Sequence, residues 1–247
     1  MTRGQGQVAG TEAAAEFARQ AQALITEPGL EGVAADLLAK SRLFQDALDR
    51  GVLRDVSAER LRACLRTIFA ARRRAGALLS EGGVDAWRSA LWDLLHGAGP
   101  VAARVDAFDA ALAGVDPGIR LDVAGEVLHF FDPSRHWLWT RWIWDPGTGT
   151  GALSLATPEE LDLSAASAGQ SYLRVGEGIA FVERTAVAAG ITRFGPAPFG
   201  VDVFLAAVYA AHLYTVTGTA MSREFNAVLP PAPELVRRLL GVQRRGA

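Results

Sequence analysis

Apolar residues recur at helical spacing along most of this chain. Phe17, Ala21, Leu24 and Ile25 lie three and four apart behind Thr11, a suitable N-cap, with Glu12 and Glu16 where the helix dipole favours negative charge. Glu27-Pro28-Gly29 ends this helix. A second is predicted over 30–48, with Val33, Leu37, Leu38, Leu43 and Phe44 as its buried face. The clearest amphipathic segment is 58–79, introduced by Ser57. Leu61, Cys64, Leu65 and Ile68 face one way, while Arg62, Arg66 and Arg73 form a basic stripe on the opposite side. Glu81-Gly82-Gly83 breaks it. Further helices are predicted over 85–95, 101–112, 121–131, 167–189 and 233–242, with a short one opening at Thr157-Pro158. Segment 201–216 is apolar nearly all round, which predicts a central buried helix.

The period changes after Asp132-Pro133. Trp137, Trp139, Trp142, Ile143 and Trp144 come in near-alternation, then the loop Asp145-Pro146-Gly147-Thr148-Gly149-Thr150-Gly151, then Ala152-Leu153-Ser154-Leu155. Aromatic residues favour strands and a Pro-Gly loop reverses the chain, so a small aromatic β-hairpin is predicted near 137–155. A helix through 137–144 is the competing account. The expected fold is therefore mainly α, a bundle of about eight to ten helices with that hairpin. Residues 1–10 are expected to form a disordered tail, and 11–247 a single domain.

Composition narrows the functional classes. Half of the 247 residues are hydrophobic, enough for a sizeable core, yet no apolar run reaches the ~20 residues that span a bilayer. No apolar block follows Arg3, so a cytoplasmic protein is expected. Cys64 is the single cysteine, which excludes an intrachain disulfide and a multi-cysteine metal site. The net charge of −2 provides no overall field toward nucleic acid or membrane. Lys40 is the only lysine; the rest of the basic charge is arginine, in keeping with a high-GC composition.

Four of the six tryptophans and two of the four histidines fall within 125–151. Arg135, His136, Trp137, Trp139, Arg141, Trp142 and Trp144 interleave cations with flat rings, which suits stacking on a ligand or partner and equally suits a core. The glycines of the adjoining loop, Gly147, Gly149 and Gly151, allow backbone N–H groups to meet an anion, but the Lys-Ser/Thr ending of a P-loop is absent. His129, Asp132 and His136 have the chemistry of a zinc or iron site. On one helix, however, the two imidazoles would stand ~10 Å apart, and Pro133 interrupts that helix. No Gly-x-Ser-x-Gly elbow is present, and pairs such as Glu159/Glu160 lack a partner that would raise one pKa.

Val127-Leu128-His129-Phe130-Phe131-Asp132-Pro133 followed by Leu138-Trp139 resembles a phrase of the helix-hairpin-helix DNA glycosylase superfamily. Upstream, Leu95-His96-Gly97-Ala98-Gly99-Pro100-Val101-Ala102-Ala103 is similar to the hairpin that gives the family its name, and Val201-Asp202-Val203-Phe204-Leu205 to a late helix; the likeness covers roughly 80–215. It implies a helical scaffold whose hairpin N–H groups approach a DNA phosphate. The family's catalytic aspartate would fall at Thr140, and its lysine nucleophile has no counterpart, so the resemblance implies a scaffold without the chemistry unless Asp132 or Asp145 takes the carboxylate's role.

Taken together, these signals predict a binding protein that performs no bond-making. Its site would comprise Arg135, Trp139, Arg141, Trp142, Trp144, Gly147, Gly149 and Gly151, with Arg62, Arg66 and Arg73 as a basic surface. A protein partner is expected ahead of nucleic acid, with no membrane and no cofactor. The alternatives are an enzyme with a metal-assisted site at His129, Asp132 and His136, and a base-excision enzyme with a displaced carboxylate.

Overall fold

A computed structural model of the chain describes residues 16, 19–26, 29–158, 161–188, 198–220 and 229–242. The predicted tail at 1–10, the Thr11 cap with Glu12 and Phe17, and the Glu159/Glu160 pair lie outside them. The fold is mainly α. The chain divides into two compact units, 35–141 with 164–176, and 1–34 with 142–163 and 177–247.

The first unit begins in α1 (Val33–Leu48) and continues through a 3-10 turn (Leu53–Asp55), α2 (Ala58–Leu65), α3 (Ala75–Gly82), α4 (Val84–His96), α5 (Val101–Ala111) and α6 (Pro117–Phe131). Helix α4 packs on the 3-10 turn, α3, α5 and α6. On α1 the buried positions are Val33, Leu37, Lys40, Ser41, Phe44, Ala47 and Leu48, a clean three-and-four repeat. Leu38, expected inside, falls off that stripe and is 43% exposed. Two polar residues therefore stand on the apolar face, and both are matched. Ser41 Oγ donates to the Phe130 carbonyl at 2.7 Å, and Lys40 Nζ pairs with Glu126 on α6.

The predicted long helix over 58–79 is two helices. Ser57 caps α2 by accepting from Arg60 N, as its residue type suggests, but the ladder fails beyond Arg66. The Thr67 carbonyl accepts from Lys40 Nζ at 3.1 Å, and the Ala71 N–H that would have met it turns to the Ile68 carbonyl. From Thr67 on the backbone turns to three-residue bonds, and a buried ammonium takes one of the carbonyls left over. Arg62, Arg66 and Arg73 are all exposed, but they no longer share one helix face.

Helix α6 starts earlier than its pattern predicts. Asp116 Oδ1 accepts from Ile119 N and Pro117 stands in the first turn, where its missing N–H costs nothing. Ile119 to Phe130 are buried except for Leu121, making α6 the central helix of this unit. Gly125 lies at its middle because a Cβ there would stand 1.9 Å from the Trp139 carbonyl oxygen.

The predicted aromatic hairpin is not formed. Residues 136–140 form no regular element and pair with no strand among the described residues, and a single antiparallel bridge, Asp145 to Thr150, is what remains of the hairpin. Side chains replace the partner strand: Asp122 Oδ1 accepts from Arg141 N at 2.7 Å, and the His136 carbonyl meets His129 Nδ1 at 2.8 Å. The second arm is helical instead, as α7 (Ala152–Ala156). Ala152 N and Leu153 N donate to the carbonyls of Trp142 and Ile143. Gly151, at φ +139°, brings its Cα so close that a Cβ would meet Ile143 O at 2.4 Å.

Helix α8 (Ala168–Ala188) contributes its first nine residues to the first unit and the rest to the second. The second unit centres on α9 (Gly200–Ala220), flanked by α7 and α10 (Ala232–Leu239). As its sequence predicts, α9 is buried on all sides over 202–208. Arg237 on α10 is also buried, with its guanidinium on the Gly29 and Glu31 carbonyls.

Candidate functional site: an arginine-lined cleft

In the first unit, the end of α4, the start of α5 and the segment after α6 surround an open cleft of about 350 Å³. Arg50, His96, Arg104, Asp132, Arg135 and His136 supply its charged and imidazole groups, Leu95 and Phe131 its apolar wall, and Gly97 and Gly99 part of its rim. The volume falls within the range of small-ligand sites.

Each cation is placed by the fold. Arg104 projects from α5 onto the end of α4, where Nη1 donates to the carbonyls of Leu94 and, at 3.1 Å, Leu95, groups that a helix terminus leaves unmet. Its Nε meets no protein acceptor. Arg50 Nη2 donates to the His96 carbonyl at 3.2 Å while its guanidinium stands 5.7 Å over the Trp92 ring. Arg135 is exposed. His96 is tied by Nε2 to the Leu48 carbonyl at 2.9 Å and lies edge-on to Phe131, ring centroids 5.4 Å apart.

His136 is fixed by Tyr172 of α8, whose hydroxyl stands 3.3 Å from Nδ1. Burial raises the Tyr172 pKa, so the phenol keeps its proton and is available as a donor to Nδ1. The assigned tautomer of His136 then carries hydrogen on Nε2. Burial, then the neighbouring Arg104 cation, lowers the His136 pKa to about 4, which leaves the ring neutral at pH 7. Burial and then Arg135 lower that of Arg104. The cations thus repel one another across the cleft. The one carboxylate present, Asp132, has Oδ1 engaged by Ser134 through N–H at 3.2 Å and Oγ at 2.6 Å.

The structure distributes the expected site residues differently from the sequence reading. Arg135, Asp132 and His136 line the cleft. Trp139 is fully buried, beneath Gly125 and 6.2 Å from the Tyr172 ring, and Trp142 is 7% exposed beside Tyr209, so neither presents an indole to a partner. Trp137 stacks on Tyr172 at 5.2 Å and donates Nε1–H to the Tyr172 carbonyl. Arg141 lies against Asp122, 3.5 Å away, and over Gly118. Trp142, half-buried Trp144 and the glycine loop belong to the second unit. In that loop Gly147 and Gly149 are exposed and Gly151 is buried. Its donors are already used: Gly147 N–H goes to Asp145 Oδ1 at 2.9 Å, and those of Thr148 and Gly149 to the Asp145 carbonyl. The Asp145 carboxylate occupies the place an anion would take.

The metal reading loses its geometry. His129 Nδ1 is engaged by the His136 carbonyl, and among the described residues no group of three His, Cys, Asp or Glu side chains is arranged to hold an ion. Cys64 is no better placed as a nucleophile: it is buried beside a void of about 10 Å³, and desolvation pushes its thiol up to about 12. Thr140 is 1% exposed.

Sequence reasoning missed Arg50, His96, Arg104 and Tyr172 as site residues. They come from four separate elements, and no local spacing joins them. One signal did exist: the Leu95–Ala103 turn, singled out for its glycines, forms the cleft's rim, and Arg104 is the next residue.

Comparison of the chain with family models, with curated proteins and with solved structures gives no match.

Proposed function

We propose that the protein works by binding rather than bond-making, and that what it binds presents an anionic group to the arginine-lined cleft. The observation that supports this is an imbalance of charge: three guanidinium groups face an open cleft with one carboxylate among them, itself engaged by Ser134. Clustered like charges cost free energy, and an anionic ligand offsets that cost. A protein partner would supply the anion as an acidic or phosphorylated side chain, a nucleic acid as a phosphate. No helix of the described residues is long and apolar enough to cross a membrane. A cytoplasmic setting is part of the proposal, since the chain lacks the cysteine framework of small proteins from oxidising compartments.

Calorimetric titration with poly-glutamate and with a single-stranded oligonucleotide, each at low and moderate salt, tests this reading. At least one should bind, more weakly as salt rises, and Arg104→Gln should abolish the heat. Absence of binding to either polyanion at low salt would remove the support for an anion site.

A further inference from the structure

The cleft's walls carry three guanidinium groups and one carboxylate, a surplus of two positive charges. A carboxylate or a phosphodiester neutralises one of these; a phosphomonoester carries about −1.5 to −2 at pH 7 and matches both. Guanidinium forks also suit the oxygens of a phosphate, which accept paired N–H donors from several directions. Arg104 holds its backbone carbonyls through Nη1, so Nη2 remains for a ligand. His136, held by Tyr172 as the Nε2–H tautomer, is a neutral donor, which binds an anion without adding to the crowded positive charge. The cleft is far larger than a phosphate group, and Leu95 and Phe131 form an apolar wall beside the cations. That combination suits a charged head and a compact organic remainder.

We infer that the cleft is a binding site for a small phosphomonoester, with Arg104 and Arg135 on the phosphate, His136 donating to it, and Leu95 and Phe131 against the organic part. This rests on the anion-binding reading and narrows it. A phosphodiester chain has the wrong charge per phosphate for the site. A phosphorylated protein side chain has the right charge, but the cleft's small-ligand volume favours a free molecule.

The test uses the intact chain and four probes, phenyl phosphate, dimethyl phosphate, benzoate and a phosphoserine hexapeptide, followed by calorimetry and thermal shift at pH 7.5. Phenyl phosphate should bind at least about tenfold more tightly than dimethyl phosphate or benzoate, and Arg135→Gln should weaken it about tenfold. Arg135 is exposed, so this variant tests the site without risk to folding; Arg104→Gln provides the second. Equal binding of phenyl phosphate, dimethyl phosphate and benzoate, all lost in Arg135→Gln, would overturn the phosphomonoester assignment while leaving the anion site intact. Tighter binding of the phosphopeptide than of phenyl phosphate would overturn the small-molecule assignment. No binding of any probe, or phenyl phosphate binding that neither arginine substitution weakens, would overturn the site itself.

Discussion

Lys40 and Glu126 meet inside the first unit with side chains 2% exposed each, whereas Arg50, Arg104 and Arg135 gather at an open cleft with a single carboxylate among them. The interior pair is matched in charge, and Lys40 has extra partners: Nζ also reaches the Thr67 carbonyl and stands 4.0 Å over the Phe130 ring. Burial still raises the Glu126 pKa against the opposing effect of Lys40. At the cleft, water screens the cations, so a surplus of charge is sustainable there. The difference shows how to read charged clusters in a fold. A buried cluster must balance because desolvation penalises any remainder, and its balance says nothing about ligands. An accessible cluster has no such obligation, so its imbalance is informative.

The strongest way to break this contrast is Lys40→Met, which leaves Glu126 buried opposite nothing. Urea unfolding should show a loss of about 3–5 kcal/mol, and adding Glu126→Leu should restore most of it, since a well-packed apolar pair replaces a buried ion pair at little cost. A loss below about 1 kcal/mol for the single substitution would refute the description of the interior pair.

Next in size are the pH responses, which have opposite signs in the two environments. Burial raises Asp122 to about 7 from 3.8, against the opposing effect of Arg141. The folded state therefore holds this proton more tightly; the stabilisation is complete below about pH 4 and lost as pH rises to about 7. His136, lowered to about 4 from 6.5, behaves in reverse: its contribution is complete above about pH 6.5 and lost as pH falls to 4. Melting temperatures of Asp122→Asn and His136→Gln across pH 4–7 should each lose one of these slopes. Phenyl phosphate should move the His136 titration, followed by NMR, upward and leave that of Asp122 in place.

Smaller effects belong to the cleft arginines. Arg104→Gln should cost about 1 kcal/mol in urea unfolding, because the carbonyls ending α4 lose a charged donor. Arg135→Gln should change stability by less than about 0.5 kcal/mol, as exposed substitutions do, while still weakening phenyl phosphate binding about tenfold. A large stability loss at Arg135 would make it part of the scaffold and erase the contrast.

Much of the helical pattern was legible because periodicity is local: α4, α5, α8 and α9 fall within a few residues of their predicted limits. The errors arose where a distant side chain intervened. The Lys40 ammonium takes the Thr67 carbonyl where the predicted 58–79 helix divides, and Asp122 and His129 bind the backbone that was expected to form a strand. The tryptophans carried a signal for bulk that the sequence left open between core and surface; for Trp139 a glycine fourteen residues earlier, inside α6, makes room for its backbone and the indole goes inward. Arg135 and His136 were recognisable as cation and imidazole, but their companions Arg50 and Arg104 converge only once α1, α4 and α5 have packed.

Because Lys40 is the chain's sole lysine and is enclosed, the folded protein offers acylating reagents no accessible side-chain amine. Acetylation or crosslinking at that position requires the first unit to open, so the rate at which an activated ester marks Lys40 is a clock for that opening, read on a single peptide by mass spectrometry.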